Sequence, residues 1–590
     1  MENLELREIV PVRLTSTLVA LGIVVGVAAL SPASQGAHSP VAVFPAKDAA
    51  VASTHTQISF RGASKSELTG IVVKGSVTGP HSGTLKAHSD GNGASFLPDT
   101  PFHTGEHVRV YADLPLVGES HGYVRFAILH SPGPFSLPTQ HDQGGTPPGS
   151  QHFKSRTDLQ PPSVVVTKLD SRAKGQGDVF VGAKAGPGQD GTMITDEHGE
   201  LVWFKRAPSH RSIFDFRAQS YRGNPVLTWW QGKARPGQGL GSGQIYDTEY
   251  RKIATVQTGN GFQADLHEFE ISPRSTALVL AYNPVSFGGT VAMDEVVQEV
   301  DIPTGLVMFE WHSLGQISSK ESFGPHNKGQ PFDLAHINSI QMEADGNFLI
   351  SGRHTNAVYE LNGQTAQINW RLGGTRSDFD LTSASKFIGQ HDARLQPDGS
   401  ITLYDNGGPT GPERESRALW LNVDEAHRKV SVRRAYHYRK VVKAFSQGGM
   451  QVLPSGDVFV GWGGNEPYFS QFTAGGTMIF DGHFDPKGDD TYRAYRFPWS
   501  ASPAAPPDIA AQRKSGKTKV YASWNGATGV AKWQVLTDNG AGLLLPAKTV
   551  DRTGFETTVT IDGTPARVAV RALGPSGTSL GTSKTVSPSG

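Results

Sequence analysis

Three histidines head similar stretches of the chain: His267 in HEFEISPRSTALVLAYNP, His336 in HINSIQMEADGNFLISGRHTN and His391 in GQHDARLQPDGSITLYDNGG. Each imidazole precedes an alternating strand, a turn and a second strand, and so takes the same relative place in a repeated half-unit. A fourth unit has Gly448-Gly449 there. Seven residues beyond the turn glycines Gly346, Gly399 and Gly456 come Arg353, Asn406 and Gly463, a second recurring position. Asn338, two residues after His336, shares its side of the strand through the two-residue side-chain period. Converging on one place, these donors stay unpaired unless an anion, a metal or water meets them. Three neutral imidazoles with an open position make a catalytic zinc site, but Arg353 beside them repels a cation. Its planar, permanently charged fork suits an oxyanion, and a neighbouring histidine can attack electrophilic sulfur or phosphorus and hold the transferred group on a ring nitrogen. Two alternatives stay open. One is a metal-dependent lyase or hydrolase with His267, His336 and His391 as ligands; the other is an extracellular binding protein without catalysis.

The elements that position these residues are strands. The chain has 590 residues, too many for one ordinary domain, and its 69 glycines and 38 prolines fall between short apolar runs, as in all-β folds. From about 163 to 500 a turn followed by an aromatic strand recurs: at 194–204, 300–311, 360–370 and 471–480, and more weakly from Tyr246 and Leu421. Six such units predict a six-bladed β-propeller, in which packing sheets radially buries their faces and the innermost strands line one channel. The last blade is expected to be completed by a strand from the other end of the domain. Trp203, Trp311 and Trp370 read as core between blades. Residues 39–130 read as an N-terminal β-sandwich, 131–162 as a linker or strap, 501–509 as a linker, and 510–590 as a fibronectin type III-like sandwich. Residues 1–38 carry Arg7 and Arg13 before an apolar run from Leu14 to Leu30, the pattern of a signal peptide or an uncleaved anchor, and so imply export.

Composition excludes several classes. Lys plus Arg and Asp plus Glu balance at 54 each, against a nucleic-acid or anionic-membrane partner. With no cysteine there are no disulfides, thiolate metal sites or thiol nucleophiles. The glycine-rich stretch 237–243 lacks the lysine of a phosphate loop and reads as a blade loop. Asp265, Asp333 and Asp392 flank the histidines and are candidates to orient them.

The segments GASFLPDTPFHTGEHVRVY, FDLAHINSI, FLISGRHTN, INWRLGG, FIGQHDARLQPDGSITLYDNG and TYRAYRFPW resemble the arylsulfate sulfotransferases, specifically their secreted actinobacterial and fungal branch. The resemblance covers about 40 to 500 and leaves out the C-terminal module. It implies ping-pong transfer of a sulfuryl group from a phenolic sulfate ester to a phenol, with no nucleotide sulfate donor, no metal and no cofactor. In that reading His391 is the nucleophile, His336 and Arg353 bind the sulfuryl oxygens, Asn338 steadies them, and His267 assists the leaving phenolate. Its partners are a small phenolic sulfate donor and a phenol acceptor, with membrane contact only through an uncleaved N-terminal anchor; the sequence does not give the oligomeric state. Enterobacterial members carry a disulfide that this chain cannot form.

Overall fold

A computed structural model describes residues 39–132, 150–408, 414–464, 468–538 and 540–590; the segment 1–38 and its export signal lie outside them. The fold is all-β. Helix among the described residues amounts to two three-residue 3₁₀ turns, Ser171–Ala173 and Ser319–Glu321, and no helix there is long and apolar enough to cross a membrane.

Six strands matter most for the site: β1 (Ser212–Tyr221), β2 (Ala264–Ile271), β3 (Ile337–Met342), β4 (His391–Leu395), β5 (Gly449–Val452) and β6 (Ala494–Phe497). They touch in cyclic order, β1 to β2 and onward to β6, which returns to β1. Each lies at the inner end of an antiparallel meander. From β3 the sheet runs through Phe348–Gly352 and Ala357–Leu361 to Ile368–Gly373, and from β4 through Ile401–Asp405 and Arg417–Asp424 to Lys429–Tyr436. The sheets of β1 and β2 are joined by one pairing, Gly241 with Ala264. Strands from the two ends of the region 163–500 complete two sheets. Ser163–Leu169 adds to Met478–Asp485 beyond β5, and β6 pairs with Asp178–Ala183. The recurring turn-plus-aromatic-strand segments are the outer hairpins. Trp203 and Trp370 are buried between adjacent sheets, and Trp311 lies in a third apolar cluster.

The glycine-rich stretch 237–243 is mainly strand, not loop. Gln238–Tyr246 forms a long hairpin with Asn224–Arg235, and a Cβ at Gly239 would lie 2.6 Å from the Trp230 ring, so the glycines let this strand cross an indole.

Two further pairs of sheets flank this assembly. Residues 42–127 form two four-stranded sheets around Phe60, Val108 and Phe126. Residues 508–582 form a three-stranded and a four-stranded sheet around Val520, Trp533 and Val570. The expected linkers are tied down: Phe153 packs on Phe555 with centroids 4.4 Å apart, Ser155 donates to Glu556, and Ser502 and Ala504 donate to the carbonyls of Thr248 and Glu249. Contacts of this kind make Pro40–Gly590 one unit.

Inside the ring of inner strands lies a buried ionic cluster. Arg493, fully buried, reaches Asp215 at 3.1 Å, Glu268 at 3.3 Å and Asp392 at 3.5 Å, and donates to the Asn338 carbonyl at 2.7 Å. Arg394 binds Glu268 at 2.6 Å, Glu270 at 2.5 Å and Asp392 at 2.8 Å, while Arg217 pairs with Asp215 and Glu268. Burial alone would push Glu268 up, but the guanidiniums of Arg394, Arg493 and Arg217 hold it well below the usual carboxylate range. Removing one partner of such a cluster strands the others. Arg493→Met is therefore expected to lower the unfolding free energy by about 3–5 kcal/mol, read from urea denaturation; an unchanged midpoint would show that the cluster does not hold the strands together.

Candidate functional site

The site lies where β2, β3 and β4 begin. Register, more than strand alternation, places its residues. Counting back from the positive-φ turn residues Ser275, Gly346, Gly399 and Gly456, the residue eight places earlier is His267, Asn338, His391 and Gly448. Asn338, not His336, is thus level with the other two imidazoles. His336 stands two residues higher, just before β3, in the left-handed region with φ 54°. Bulges interrupt β1, β2, β3 and β4 close to these positions, so a simple two-residue alternation does not hold there.

The structure nevertheless brings His267 and His336 together, ring centroids 4.8 Å apart, both buried. His267 Nδ1 lies 2.5 Å from Asp265 Oδ1, and Asp265 also accepts from the Gly239 amide at 2.7 Å. His336 Nδ1 lies 2.6 Å from Asp333 Oδ2. These bonds place the Nδ1 proton on the carboxylate side in both rings. Their Nε2 atoms have no protein partner among the described residues. His391 is held differently: its Nδ1 donates to Asn406 Oδ1 at 2.8 Å and lies 3.1 Å from the Gly389 carbonyl. Its Nε2 therefore carries the lone pair and accepts the Gln447 amide at 3.2 Å. Burial first, then the positive charge of Arg353, pushes His391 well below the usual imidazole range, against the pull of the Asn406 bond. Burial, then His267 and Arg353, does the same to His336.

Seven residues past the four turns come Tyr282, Arg353, Asn406 and Gly463. Two of them hold the segment 444–447 over His391, and the third, Gly463, lets it pass close by. Arg353 donates to the Phe445 carbonyl at 2.9 Å, and Asn406 Nδ2 donates to the carbonyls of Ala444 at 3.0 Å and Gln447 at 3.1 Å. At Gly463, φ 77°, a Cβ would sit 2.5 Å from the Ser446 oxygen. The fourth, Tyr282, stacks on His267 with centroids 5.5 Å apart. Tyr282 was missed because its turn, Pro273-Arg274-Ser275, has no glycine; the count of seven finds it.

Arg353 makes no ion pair among the described residues, and its Nε is buried without a partner. Burial lowers its pKa from the ordinary arginine value. Two more orphan atoms lie close by: the Tyr492 hydroxyl, on a ring 5.9 Å from His267 and 6.5 Å from His391, and Oδ1 of Asn338. Asn338 Nδ2 spends itself on the Gln390 carbonyl at 2.8 Å, so Asn338 fixes the backbone that carries His391. The Arg353 guanidinium without an ion pair and the Tyr492 hydroxyl are donors suited to an anion, whereas Asn338 Oδ1 is an acceptor and calls for a donor.

His354, next to Arg353, was also missed. It lies 2.9 Å from Arg353 Nη1 through Nε2 and 2.9 Å from the Asp333 carbonyl through Nδ1, and burial lowers it to about 4. Among the described residues, the ligand atoms able to gather round a metal are those of Asp333, His336 and His354, within 4.8 Å of one another, rather than those of His267, His336 and His391. Asp333 already bonds His336, and a guanidinium faces His354, so this donor set is poorly matched to a cation.

Residues 217–485 match the arylsulfotransferase (ASST) family. The ASST match runs from Arg217 in β1 to Asp485 and takes in His267, His336, Asn338, Arg353 and His391. Among solved structures, the chain is similar to a protein of unknown function from Bacteroides caccae, at 14% identity over 54% of this chain and 97% of the other, with a TM-score of 0.35. It is also similar to a catalytically inactive virginiamycin B lyase from Staphylococcus aureus bound to quinupristin, at 8% identity over 61% and 96%, with a TM-score of 0.29. No curated protein matches the chain.

Imidazole nitrogen NMR tests the electrostatics. His391 is expected to stay in the neutral Nδ1–H form through the range in which a free imidazole titrates, near 6.5. A midpoint near that free value would contradict the assignment. The linkage follows in sign: a histidine held low in the fold takes up protons more readily unfolded, so His354 costs stability as pH falls from 6.5 toward about 4.

Proposed function

We propose that the chain is an exported arylsulfate sulfotransferase of the secreted actinobacterial and fungal branch. It moves a sulfuryl group from a phenolic sulfate ester to a phenol through a sulfohistidine at His391, without a nucleotide donor. The observation that carries this reading is the tautomer of His391: Asn406 accepts the Nδ1 hydrogen bond, leaving the lone pair on Nε2, while the positive charge of Arg353, which makes no ion pair among the described residues, acts on the ring. A neutral, oriented imidazole beside a fixed cation is a nucleophile suited to an anionic electrophile.

In the first half-reaction the Nε2 lone pair attacks sulfur. The N–S bond forms as the bond from sulfur to the aryl oxygen breaks, and the phenolate leaves with the electron pair. Arg353 faces the sulfuryl oxygens, the Gln447 amide gives up Nε2 to the entering sulfur and turns to one of those oxygens, and His267, which enters the step protonated on both ring nitrogens against Asp265, passes its Nε2 proton to the phenolate. In the second half the acceptor phenol returns a proton to that pair, its oxygen attacks sulfur, and the N–S bond breaks to restore neutral His391. Positioning and charge stabilisation do most of the work, as in phosphoryl transfer. His336, paired with Asp333, gains a proton when the anion binds and then donates through Nε2.

The fold supports the same reading. The cyclic contacts of β1 to β6 suit a six-bladed propeller closed by strands from both ends of the region 163–500, with the histidines at one mouth of its axis. The three-plus-four sandwich at 508–582 suits a fibronectin type III-like module, and the pair of sheets at 42–127 an N-terminal sandwich. Export rests on the basic and then apolar pattern of residues 1–38.

Initial-rate kinetics with varied donor and acceptor test the mechanism: a covalent intermediate gives parallel double-reciprocal lines, and intersecting lines would require a ternary complex and refute it. Asn406→Leu is expected to cut kcat by about ten- to a hundredfold, since an orienting partner of a reactive imidazole is worth that much; wild-type rates would remove Asn406 from the mechanism.

A further inference from the structure

Beside the imidazoles, between the long hairpins of the β1 and β2 sheets, lies a cavity of about 260 Å³. Its walls include Arg235, Phe262, Gln263, Tyr282, Pro284 and Met293. It shares two walls with the site already described. Tyr282 stacks on His267 and meets His336 edge to face, centroids 5.7 Å apart, and also lines the cavity. The turn that follows Arg235 reaches His336: a Cβ on Gly237 would lie 3.2 Å from its Cε1. A group seated in the cavity therefore lies one aromatic ring away from the imidazoles.

The lining names the occupant. Phe262, Tyr282, Pro284 and Met293 offer flat and apolar surface, which suits an aromatic ring. An apolar cavity of about 150 Å³ already accepts one benzene, so this one suits a single substituted ring. Arg235 is the only lining residue with a formal charge, no carboxylate lines the cavity, and Arg235 has no side-chain hydrogen bond or ion pair among the described residues. A half-buried guanidinium with no counter-ion, set among aromatic walls, is a receptor for a planar anion.

We propose that this cavity is the aryl subsite and that it selects phenolic substrates carrying a second, anionic substituent such as a ring carboxylate. The carboxylate meets the fork of Arg235, the ring lies against Phe262 and Tyr282, and the phenolic oxygen points past the edge of Tyr282 toward the imidazoles. The chemistry rests on the sulfuryl-transfer reading above; the binding does not.

Two matched acceptors, 4-hydroxybenzoate and 4-hydroxybenzamide, differ in charge but little in shape. In the wild-type chain kcat/KM is expected to favour the carboxylate by about tenfold or more, the worth of one charge-assisted bidentate contact. Arg235→Gln is expected to bring the ratio to about one, and Arg235→Glu to favour the cation 4-hydroxybenzylamine over both. Titration calorimetry of the first two compounds reads the same site without turnover. Equal binding of the pair by the wild-type chain, or a preference that survives Arg235→Gln, overturns the proposal. If neither phenol is sulfated but binding still depends on Arg235, the transfer reading falls and the subsite stands; transfer with no carboxylate preference has the opposite meaning.

Discussion

Three arginines and four carboxylates are buried together inside the ring of inner strands, and the arrangement above them depends on their pairing, with burial raising Glu270 to about 7. Arg493, Arg394 and Arg217 meet Asp215, Glu268, Glu270 and Asp392, which come from β1, β2, β4 and the approach to β6, with β3 tied in through the Asn338 carbonyl. Ions removed from water cost more than their mutual attraction returns unless each bond is well made. The cluster thus fixes where the inner strands stand relative to one another. It also gives the guanidiniums below the site acidic partners, though Nε of Arg217 and of Arg493 stays without a hydrogen bond, whereas Arg353 above it makes no ion pair among the described residues.

On that floor the site is built in two tiers. His267, Asn338 and His391 form the lower tier, and Tyr282, Arg353 and Asn406 the upper one, with Arg353, Asn406 and His391 linked through hydrogen bonds to residues 444–447. The same segment both shapes the site and occupies it, because the Gln447 amide sits on the nitrogen that would attack. The imidazoles differ in kind. His267 and His336 are each backed by an aspartate and suited to carry a proton, whereas His391 is backed by a neutral amide and suited to use its lone pair.

Much of this was legible in the sequence because turns are. The spacing of Gly346, Gly399 and Gly456 located Arg353 and Asn406, since a positive-φ turn residue sets the register of the strands on both sides. The same count failed to reveal Tyr282 only because Ser275 holds that conformation without being glycine. His336 was set level with His267 and His391, yet it stands two residues higher; bulges in the inner strands break the alternation that such an assignment assumes. The ionic cluster was overlooked, although its signal was present as charges two residues apart in Asp215 and Arg217, Glu268 and Glu270, and Asp392 and Arg394. His354 and Tyr492 carry no spacing signal; tertiary contact alone brings them to the site.

The central claim is that Nε2 of His391 receives the sulfuryl group. Rapid mixing of the full chain with an aryl sulfate in the absence of acceptor, an alkaline quench and peptide mass mapping test it most directly. The account predicts one SO₃ adduct per chain, on the peptide carrying His391, that disappears when a phenol is added before the quench and never forms in His391→Ala. Turnover with no adduct, or an adduct that persists in His391→Ala, would contradict it.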